Sequence, residues 1–434
     1  MSTQNTFISR FVARPSYAWI VWAVAALFYS YEFFLRISPG VMTSELMHTF
    51  LVDATTLGVL SGFYYYAYAS MQIPVGILLD RFGIKRLLSI AVLFVTLGCV
   101  LFSTAQQLWV AELGRVLMGL GSAFSFIGCL KLISNWFDAK KLAMVIGLTN
   151  TLGVMGAING EAPLALLVDN IGWRQVMFVA AIVGIVIVAL VSVLIYDRPP
   201  SPLANLRQDK TQPQHFWDGI VNVIKSRRTW LVAIVGGLMV APVSAFTELW
   251  SVPFLQLEHH VAKPQAALLA SLMFVGIAVG GPVHGLISGR LGRRKPVIWL
   301  GALGALLCLS SIIYLPINNI IVLTGLLFLF GFFTSSMLLC FAINTEFQPS
   351  WATGVTVGFT NMLVMLGGTL FQPLVGYLLD NQWHGKLLAG TRVFSLHDYQ
   401  LALSLLPLCL IAALIVIPFI RETFCHSFVG EKCQ

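Results

Sequence analysis

Two ionisable residues of opposite charge lie inside a long apolar stretch near the start of the chain. Glu32 and Arg36 are four positions apart, so on a helix they share one face and can form an ion pair. If the stretch crosses a membrane, each charge costs at least about 2.5 kcal/mol, and such residues usually face a cavity or a proton path. Glu32 and Arg36 are therefore either a solute and proton site or a buried structural pair.

Further ionisable residues interrupt other apolar stretches. Glu112 and Arg115 lie close together, and Glu112 can simply offset the charge of Arg115. Glu248 stands alone in a later stretch, as does Glu161, which is either a proton site or a carboxylate that reaches interfacial water. Arginine recognises carboxylate and phosphate groups through paired hydrogen bonds, while a carboxylate can carry a proton. These residue types together favour the binding of an anionic or zwitterionic solute.

A tyrosine-rich segment offers hydroxyl groups at helical spacing. Tyr64 and Tyr68 fall on one helix face, and a buried tyrosine hydroxyl needs a hydrogen-bond partner. The two rings either line a polar cavity or fill space against lipid.

The elements that must position these residues are membrane-spanning helices. Of the 434 residues, 58% are apolar and only 10% are charged, and the mean hydropathy is +0.85. A helix needs about 20 apolar residues to cross the hydrocarbon region. We predict twelve spans, at residues 17–40, 55–79, 87–106, 108–132, 142–167, 174–196, 229–256, 265–289, 296–316, 319–343, 353–379 and 399–420.

One long polar segment divides these spans into two groups of six. Residues 197–228 are rich in Pro, Lys, Arg, Gln and Asp. We predict an N-terminal six-helix bundle at residues 1–196, a cytoplasmic linker at 197–228, and a C-terminal six-helix bundle with a short tail at 229–434.

The basic residues indicate the orientation, because Lys and Arg accumulate in cytoplasmic loops. With the N-terminus inside, twenty of the 26 Lys and Arg residues fall on the cytoplasmic side, including Arg10, Arg14, Arg207, Lys210 and Lys432. The formal charge of +8 then reflects topology and anionic lipid headgroups rather than nucleic acid. We expect a multi-pass protein of the plasma or bacterial inner membrane, with both termini cytoplasmic.

An internal repeat relates the two groups of spans. The loop GILLDRFGIKR (76–86) returns as GLISGRLGRRK (285–295), 209 positions later. The segment at 147–170 aligns without gaps on 358–381, which pairs Asn150 with Asn361, Glu161 with Gln372, and one Asp-Asn with another. Two parallel repeats are an architecture of transporters, whose site lies near the midplane between the repeats.

These motifs resemble the major facilitator superfamily over nearly the whole chain. The family loop pattern G-x-x-x-D-R-x-G-x-(R/K)-(R/K) is met in the first copy, whereas the second copy has Gly289 in place of the acid. The Arg115–Gly121 segment is similar to the family's R-x-x-x-G-x-G, and Gly172-Trp-Arg resembles its entry to span 6. Gln72–Gly76 with the loop resembles the branch that includes anion:cation symporters. The resemblance implies an all-α membrane fold of two pseudo-symmetric six-helix bundles.

The resemblance also implies a gate formed by the two loops. In the family the loop latches the cytoplasmic side closed in the outward-open state, and the missing second acid implies a weaker latch in the C-terminal half. The alternative is that these residues only set topology. The gating residues implied are Gly76, Asp80, Arg81, Gly83, Arg86, Arg290, Gly292 and Arg294. Glycine pairs such as Gly156/Gly160, Gly276/Gly280 and Gly354/Gly358 are expected on the surfaces where the halves slide.

In the family, spans 1, 4, 7 and 10 line the cavity. We predict a substrate-binding set of Arg36, Tyr64, Tyr68, Arg115, Asn150, Trp250 and Asn361, and a proton-coupling set of Glu32, Glu161 and Glu248. The hypothesis is proton-coupled uptake, by alternating access, of an organic acid, amino acid or peptide, or sugar phosphate. The alternative is an exporter of drug-like or siderophore-like molecules, although span 5 lacks the Gly-Pro step of the family's exporters.

Other function classes find less support in the sequence. The eight histidines are scattered, and the cysteines show no CxxC spacing, which disfavours an enzyme or a metal centre. A transporter-like sensor stays open as a third class. No phosphate-binding loop for nucleotide hydrolysis is present. We expect no cofactor and no nucleic-acid partner, and a monomer whose partners are a small solute, protons and membrane lipids.

Overall fold

The computed structural model describes residues 16–199, 213–349, 352–388 and 391–426. Within these ranges, eleven helical segments are long and apolar enough to cross a membrane, and a bent pair of helices supplies a twelfth. The twelve spans are Tyr17–Val41, Ala54–Phe82, Ile84–Thr104, Leu108–Trp136, Met144–Ile171, Trp173–Leu194, Arg227–His259, Lys263–Leu291, Lys295–Tyr314, Ile320–Phe347, Thr353–Gln382 and Leu396–Phe419. The predicted helical membrane fold is confirmed, with eleven spans among the described residues, or twelve when the bent pair is counted.

Three spans are irregular in ways that the sequence did not predict. Span 5 consists of two helices, Ala139–Asn159 and Ala162–Ile171, with Glu161 as the residue before the second. In span 7 the segment Val243–Trp250 is a π-helix. Span 10 passes through a 3-10 turn at Ser335–Leu338. Wide and narrow turns of this kind redirect side chains, and π-helical turns frequently occur at functional sites.

Short elements connect the spans. The outer helix, Thr43–Phe50, meets span 2 at an angle of 111°. A small hairpin, β1 (Leu387–Leu388) with β2 (Thr391–Arg392), follows span 11. The linker helix, Pro213–Lys225, lies within the predicted linker and packs Val223 near Val355 and Phe359 of span 11.

Some sequence predictions lie outside the described residues. They concern the linker at 200–212 and the basic residues Arg10, Arg14, Arg207, Lys210 and Lys432.

Two glycines of the R-x-x-x-G-x-G segment explain how span 4 packs. A Cβ atom at Gly119 would lie 2.2 Å from the carbonyl oxygen of Tyr64 in span 2. A Cβ atom at Gly121 would lie 2.3 Å from the carbonyl oxygen of Ala91 in span 3. Only glycine permits these backbones to approach so closely, so the motif brings spans 2, 3 and 4 together.

The glycine pairs predicted at sliding surfaces mostly pack within one half. We call spans 1–6 the N-terminal half and spans 7–12 the C-terminal half. Gly156 lies against Ser30 of span 1, and Gly276 lies against Phe328 of span 10. Close contacts between the halves come from Gly58, which faces Gln372, and from Gly376, which faces Ala54. Gly358 of the predicted Gly354/Gly358 pair also faces the other half, because its ideal Cβ position is 2.9 Å from the carbonyl oxygen of Gln72. Spacing alone shows that a helix can pack closely but does not identify its partner. The prediction was therefore wrong for Gly156/Gly160 and Gly276/Gly280, whereas Gly358 does lie at the boundary between the halves.

Candidate functional site

A cavity of about 1440 Å³ lies between the two halves. Its lining includes Arg36 and Glu248 at one limit and Asp80 and Arg81 at the other. We call the end of the molecule that carries the repeated loops the loop end, and the opposite end the closed end. The cavity therefore runs from the loop end inward and stops at a pair of charged residues.

Arg36 lies between two carboxylates at the inner limit of the cavity. Its Nη1 atom is 3.6 Å from Glu32 Oε1, and its Nε atom is 3.7 Å from Glu248 Oε1. The guanidinium also lies 3.8 Å from the ring centroid of Phe33, a cation–π contact. All three charged side chains are at most 7% exposed. The Glu248 contact joins span 7 to span 1 and hence one half to the other.

The three charged groups leave hydrogen-bonding capacity unused. Arg36 Nε, Glu32 Oε2 and Glu248 Oε2 are buried and have no hydrogen-bond partner. The donor–acceptor distances of 3.6 and 3.7 Å exceed those of good hydrogen bonds. Tyr64 donates its hydroxyl to Glu32 Oε1 at 2.7 Å and holds that carboxylate in place. A buried donor and a buried acceptor with free capacity are suited to receive a polar solute.

The local backbone places these residues where they meet. Span 1 passes from α-helix into a 3-10 turn at Ser38–Val41, and Glu248 lies in the π-helical part of span 7. At this point a Cβ atom on Gly40 would lie 2.6 Å from the carbonyl oxygen of Glu248. Gly40 therefore lets spans 1 and 7 touch, and their contact closes the inner limit of the cavity.

Amide and phenol groups line the walls farther from Arg36. Tyr68, Asn150 and Asn361, which the sequence analysis predicted to bind the solute, all border the cavity. Asn361 donates to Gln72 Oε1 at 2.8 Å and so bridges spans 11 and 2. Sequence reasoning noted Gln72 only as part of a motif, although a lone amide in an apolar span is a signal that could have identified it.

Five of the predicted substrate-binding and proton-coupling residues lie outside the cavity lining, and two of them act through Arg36. The five are Glu32, Tyr64, Arg115, Glu161 and Trp250. Glu32 contacts Arg36, which does border the cavity, and Tyr64 contacts Glu32. Both side chains therefore position the Arg36 guanidinium from the side that faces away from the cavity.

Two more of these residues support the cavity wall. Arg115 is buried and donates to the carbonyl oxygens of Leu35 at 2.8 Å and of Arg36 at 3.3 Å. Trp250 donates to the carbonyl oxygen of Gln372 in span 11. Their polar groups bind backbone atoms of neighbouring spans rather than face the cavity.

Glu161 is separate from the other predicted residues. It lies at the break in span 5, it is 1% exposed, and no hydrogen bond reaches its Oε2 atom. Its counterpart in the repeat, Gln372, donates to the carbonyl oxygen of Ser244. The two positions thus differ in both chemistry and partners.

The first loop carries one exposed ion pair and one partly buried helix cap. Asp80 bonds Lys131 of span 4 at 2.5 Å. Gly83 has a φ of +87°, which glycine adopts without strain, and the turn brings Lys85 N to 2.6 Å from Asp197 Oδ1. Arg81 lies at the cavity mouth, and Arg86 is exposed at the start of span 3.

The second loop repeats this arrangement with the charges exchanged. Arg294 bonds Glu346 of span 10 at 2.8 Å, so the loop supplies the base and the span supplies the acid. Glu422 accepts from the backbone nitrogens of Arg294 and Lys295, as Asp197 does for Lys85 in the first half. Gly292 has a φ of +59°, and Arg290 is exposed. The second loop thus has Gly289 where the first has an acid, and the acid of its ion pair, Glu346, comes from span 10.

Among the described residues, no three or more His, Cys, Asp or Glu side chains come close enough together to hold a metal ion.

Comparison with known proteins relates most of the chain to one family. The model of the Major Facilitator Superfamily matches residues 21–252 and 249–423. The membrane sensor protein UhpC of Salmonella typhimurium is 24% identical over 382 residues, which cover 84% of this chain and 85% of that protein. The probable galactarate/D-glucarate transporter GudP of Escherichia coli is 23% identical, with coverage of 82% and 86%. The probable sulfoacetate transporter SauU of Cupriavidus necator is 21% identical, with coverage of 83% and 87%.

Solved structures show the same fold. A bacterial homologue of the human lysosomal transporter Spinster, in an inward-facing and unoccupied conformation, aligns with a TM-score of 0.73 and 18% identity. That alignment covers 94% of this chain and 96% of the homologue. A point mutant of the nucleoside transporter NupG aligns with a TM-score of 0.74 and 13% identity, covering 92% and 99% of the two chains. The chain belongs to the Major Facilitator Superfamily, and it is a multi-pass membrane transporter rather than an enzyme.

Proposed function

We propose that this transporter carries a small organic anion, or a zwitterion with an anionic group, in the uptake direction and together with protons. The observation that carries the proposal is the position of Arg36, a buried guanidinium at the inner limit of the cavity with a carboxylate on either side. Its planar group can form paired hydrogen bonds with a carboxylate, phosphate or sulfonate.

The solute's anionic group competes with Glu248 for Arg36. Arg36 holds Glu248 at 3.7 Å, and its Nε atom has no hydrogen bond to give up. Glu32 lies on the other side of Arg36, so an anionic solute would be repelled by two carboxylates if both were ionised. The anion therefore binds best when one carboxylate is neutral.

Proton coupling follows from this competition. A buried carboxylate that loses its counter-charge is costly unless it takes up a proton. When Arg36 turns to the solute, Glu248 loses its partner, whereas Glu32 keeps the hydrogen bond from Tyr64. We assign Glu248 as the first proton acceptor and Glu32 as the second. Glu161, a buried carboxylate whose Oε2 atom has no hydrogen bond, is a further proton site in this proposal.

The halves are the moving bodies of this proposal. We take residues 1–196 and 229–434 as two six-helix bundles joined by the linker at 197–228, with the gating residues of both loops at their cytoplasmic ends. The basic residues near the loop end favour a cytoplasmic location for that end and for both termini. The cavity in this structure then opens inward. The transporter works as a monomer in contact with membrane lipids.

The relatives support an anionic cargo. GudP is named for galactarate and D-glucarate, and SauU is named for sulfoacetate. All three compounds carry carboxylate or sulfonate groups. UhpC is named as a membrane sensor protein, which favours sensing as a second candidate function. A sensor would bind the solute without moving it, so binding and uptake must be measured separately.

A thermal-shift screen tests binding. Purified protein is mixed with D-glucarate, sulfoacetate, sugar phosphates, amino acids or dipeptides, and the melting temperature is recorded. A ligand of the folded state raises the apparent stability, by about 2.7 kcal/mol at a hundred times its dissociation constant. We expect a shift with at least one carboxylated, sulfonated or phosphorylated compound and none in the Arg36→Ala protein. A shift of equal size in Arg36→Ala would remove Arg36 from the binding site.

Uptake of the same compound into proteoliposomes tests the coupling. With an imposed pH gradient we expect concentrative uptake by the wild type, and in Glu248→Gln only exchange that does not respond to the gradient. Glu258→Gln, a change at a nearby carboxylate of span 7 outside the cavity lining, is the matched control. Gradient-driven uptake at the normal rate in both Glu248→Gln and Glu32→Gln would end the proton assignment.

A further inference from the structure

The internal repeat contains an Asp-Asn pair that the cavity does not use. Asp169 and Asn170 end span 5, and Asp380 and Asn381 stand 211 positions later near the end of span 11. Both aspartates lie at the closed end, far along their helices from the loop end. Neither lines the cavity.

Asp380 binds the start of span 2 in the other half. Its Oδ2 atom accepts from Thr55 N at 2.7 Å and from the Thr55 hydroxyl at 2.6 Å. Its Oδ1 atom accepts from Ala54 N at 3.2 Å and from Arg392 Nη1 of the hairpin at 2.9 Å. A carboxylate at the N-terminus of a helix satisfies backbone N–H groups that have no partner in the helix. Asp380 thus caps span 2 across the boundary between the halves.

Asp169 binds the start of span 8, again in the other half. Its Oδ1 atom accepts from Lys263 Nζ at 2.7 Å. The same ammonium also bonds Glu45 of the outer helix. Lys263 is only 12% exposed, so its two acidic partners offset the charge at a largely buried position. One lysine of the C-terminal half therefore holds two elements of the N-terminal half.

The two contacts are equivalent under the repeat. Lys263 stands 209 positions after Ala54, the same offset that relates the two loops. Each aspartate thus reaches from the end of span 5 or 11 to the first residues of span 8 or 2. One copy contacts backbone N–H groups, and the other contacts an ammonium group that occupies the equivalent position.

We propose that Asp169 and Asp380, with Lys263, Glu45 and Arg392, form a second gate that holds the closed end shut. We call these five residues the closed-end clamp. Asp380 contacts span 2 and Asp169 contacts Lys263 across the boundary between the halves. These contacts must break before the solute can reach Arg36 from the closed end. The clamp is the opposite-end counterpart of the loop gate, and it arises from the same duplication.

Packing beside the clamp shows why these contacts matter. Gly376, four residues before Asp380, faces the Ala54 carbonyl so closely that a Cβ atom would lie 2.2 Å from it. Spans 2 and 11 are therefore in backbone contact at this end, without space for water between them. Loss of the polar contacts at their rim admits water and weakens the seal.

Thiol labelling tests the clamp without any solute. Ser244 borders the cavity and is buried, so Ser244→Cys is the reporter in a protein whose seven native cysteines have been replaced. A membrane-impermeant maleimide is added to right-side-out and to inverted vesicles. We expect the wild type to react only from the loop end. Asp380→Ala should raise the labelling rate from the closed end about tenfold, which is the effect of losing one charge-assisted hydrogen bond. Asp169→Ala should raise it less, because the Asp169 carboxylate is 41% exposed and solvent screens its pair with Lys263.

The neighbouring asparagines provide matched controls. Asn170 and Asn381 are exposed members of the same repeated pair, and Asn170 bonds only the Leu166 carbonyl within its own helix. Asn170→Ala and Asn381→Ala should label as the wild type does. If the aspartate variants also keep the wild-type pattern from both sides, the clamp is not a gate.

Charge exchange distinguishes a gate from a requirement for folding. Lys263→Glu should open the closed end, because three acidic groups then face one another. Lys263→Glu combined with Asp169→Lys should return part of the protection. Failure of the pair to protect, in protein that elutes as a single folded species, would contradict the proposal. Because the assay needs no cargo, its outcome is independent of whether the solute is an anion.

Discussion

The two ends of the molecule carry the same types of charged side chain, but these side chains pair within one half at one end and between the halves at the other. At the loop end, Asp80 pairs with Lys131 and Arg294 pairs with Glu346, and each pair stays within one half. At the closed end, Lys263 and Asp380 bind residues of the opposite half. The chemical groups are alike, so the difference lies in which half supplies the partner.

This difference explains which end of the cavity is open. A contact within one half moves with that half and does not resist separation, whereas a contact between halves must break. The charged contacts that join the halves lie at the closed end and continue inward to Arg36 and Glu248, and nearer the loop end the halves share only the neutral amide contact between Asn361 and Gln72 among the hydrogen bonds described above. Ion pairs of the loop end are free to exchange partners when the halves rock the other way. The conformational state therefore depends on whether the charged groups pair within one half or between the halves. Breaking the contacts between halves should change the end from which the cavity can be reached.

The largest effect should come from a steric change at the closed end. In Gly376→Val the side chain would collide with the Ala54 carbonyl, which is 2.2 Å from the ideal Cβ position. Overpacking of this kind costs about 1–3 kcal/mol, so closure becomes about five to 150 times less favourable. We expect loss of uptake and labelling of the Ser244→Cys reporter from the closed end.

Gly354→Val is the matched control, on the same helix but at the loop end. Nothing lies within 4 Å of the ideal Cβ position at Gly354. This variant should keep the closed end as well protected from the maleimide as it is in the wild type. If both valine variants gave the same labelling rate from the closed end, closure of that end would not depend on close backbone contact. The proposed difference between the two ends would then be contradicted.

The fold could be predicted almost completely from the sequence. Long apolar runs specify spans because no other element satisfies its backbone hydrogen bonds in lipid. The repeat specified two related halves, and four-residue spacing was enough to pair Glu32 with Arg36. The structure added the π-helical turn that carries Glu248 and the break at Glu161, neither of which has a clear local signature.

The partners of the polar residues could not be predicted in the same way. Arg36 and Arg115 are both arginines within spans, yet one faces the cavity and the other donates to carbonyl oxygens of span 1. The distinction depends on helix rotation and packing, which composition does not encode. The repeat paired Asp169 with Asp380, but neither they nor Lys263 were assigned a role, because charged residues are common at span ends and need no special explanation.

A smaller effect should follow from removing the acid of the first loop. Asp80 is 66% exposed, and its pairing with Lys131 contributes only about 0–1 kcal/mol to the present state. Asp80→Asn should leave closed-end labelling unchanged. If Asp80 changes partners to latch the loop end shut in the opposite state, uptake should fall severalfold because that state is disfavoured. Normal uptake with unchanged access at both ends would rule out the latch and leave Asp80 with a role in topology alone.

The smallest effect should be a pH dependence at the rim of the closed end. Asp53 accepts from Thr56 N at 2.9 Å and lies 4.0 Å from Arg392, just before span 2 begins. Burial alone would raise the pKa of Asp53, but the hydrogen bonds from Thr56 and the charge of Arg392 lower it below the usual 3.8. A lowered pKa means that the ionised form stabilises the folded state at any pH above that usual value, and that this contribution disappears as the pH falls through the folded-state value.

Asp53→Asn isolates this contribution, because asparagine caps a helix as well as aspartate but does not titrate. In detergent, the wild type should melt slightly above Asp53→Asn, with a difference that is constant from about pH 8 to 5 and shrinks only in stronger acid. Asp53→Ala should lose about 1 kcal/mol more, at every pH, through loss of the cap. A difference that already shrinks near pH 6 would mean that Asp53 is not held in its ionised form, and that Arg392 serves Asp380 alone.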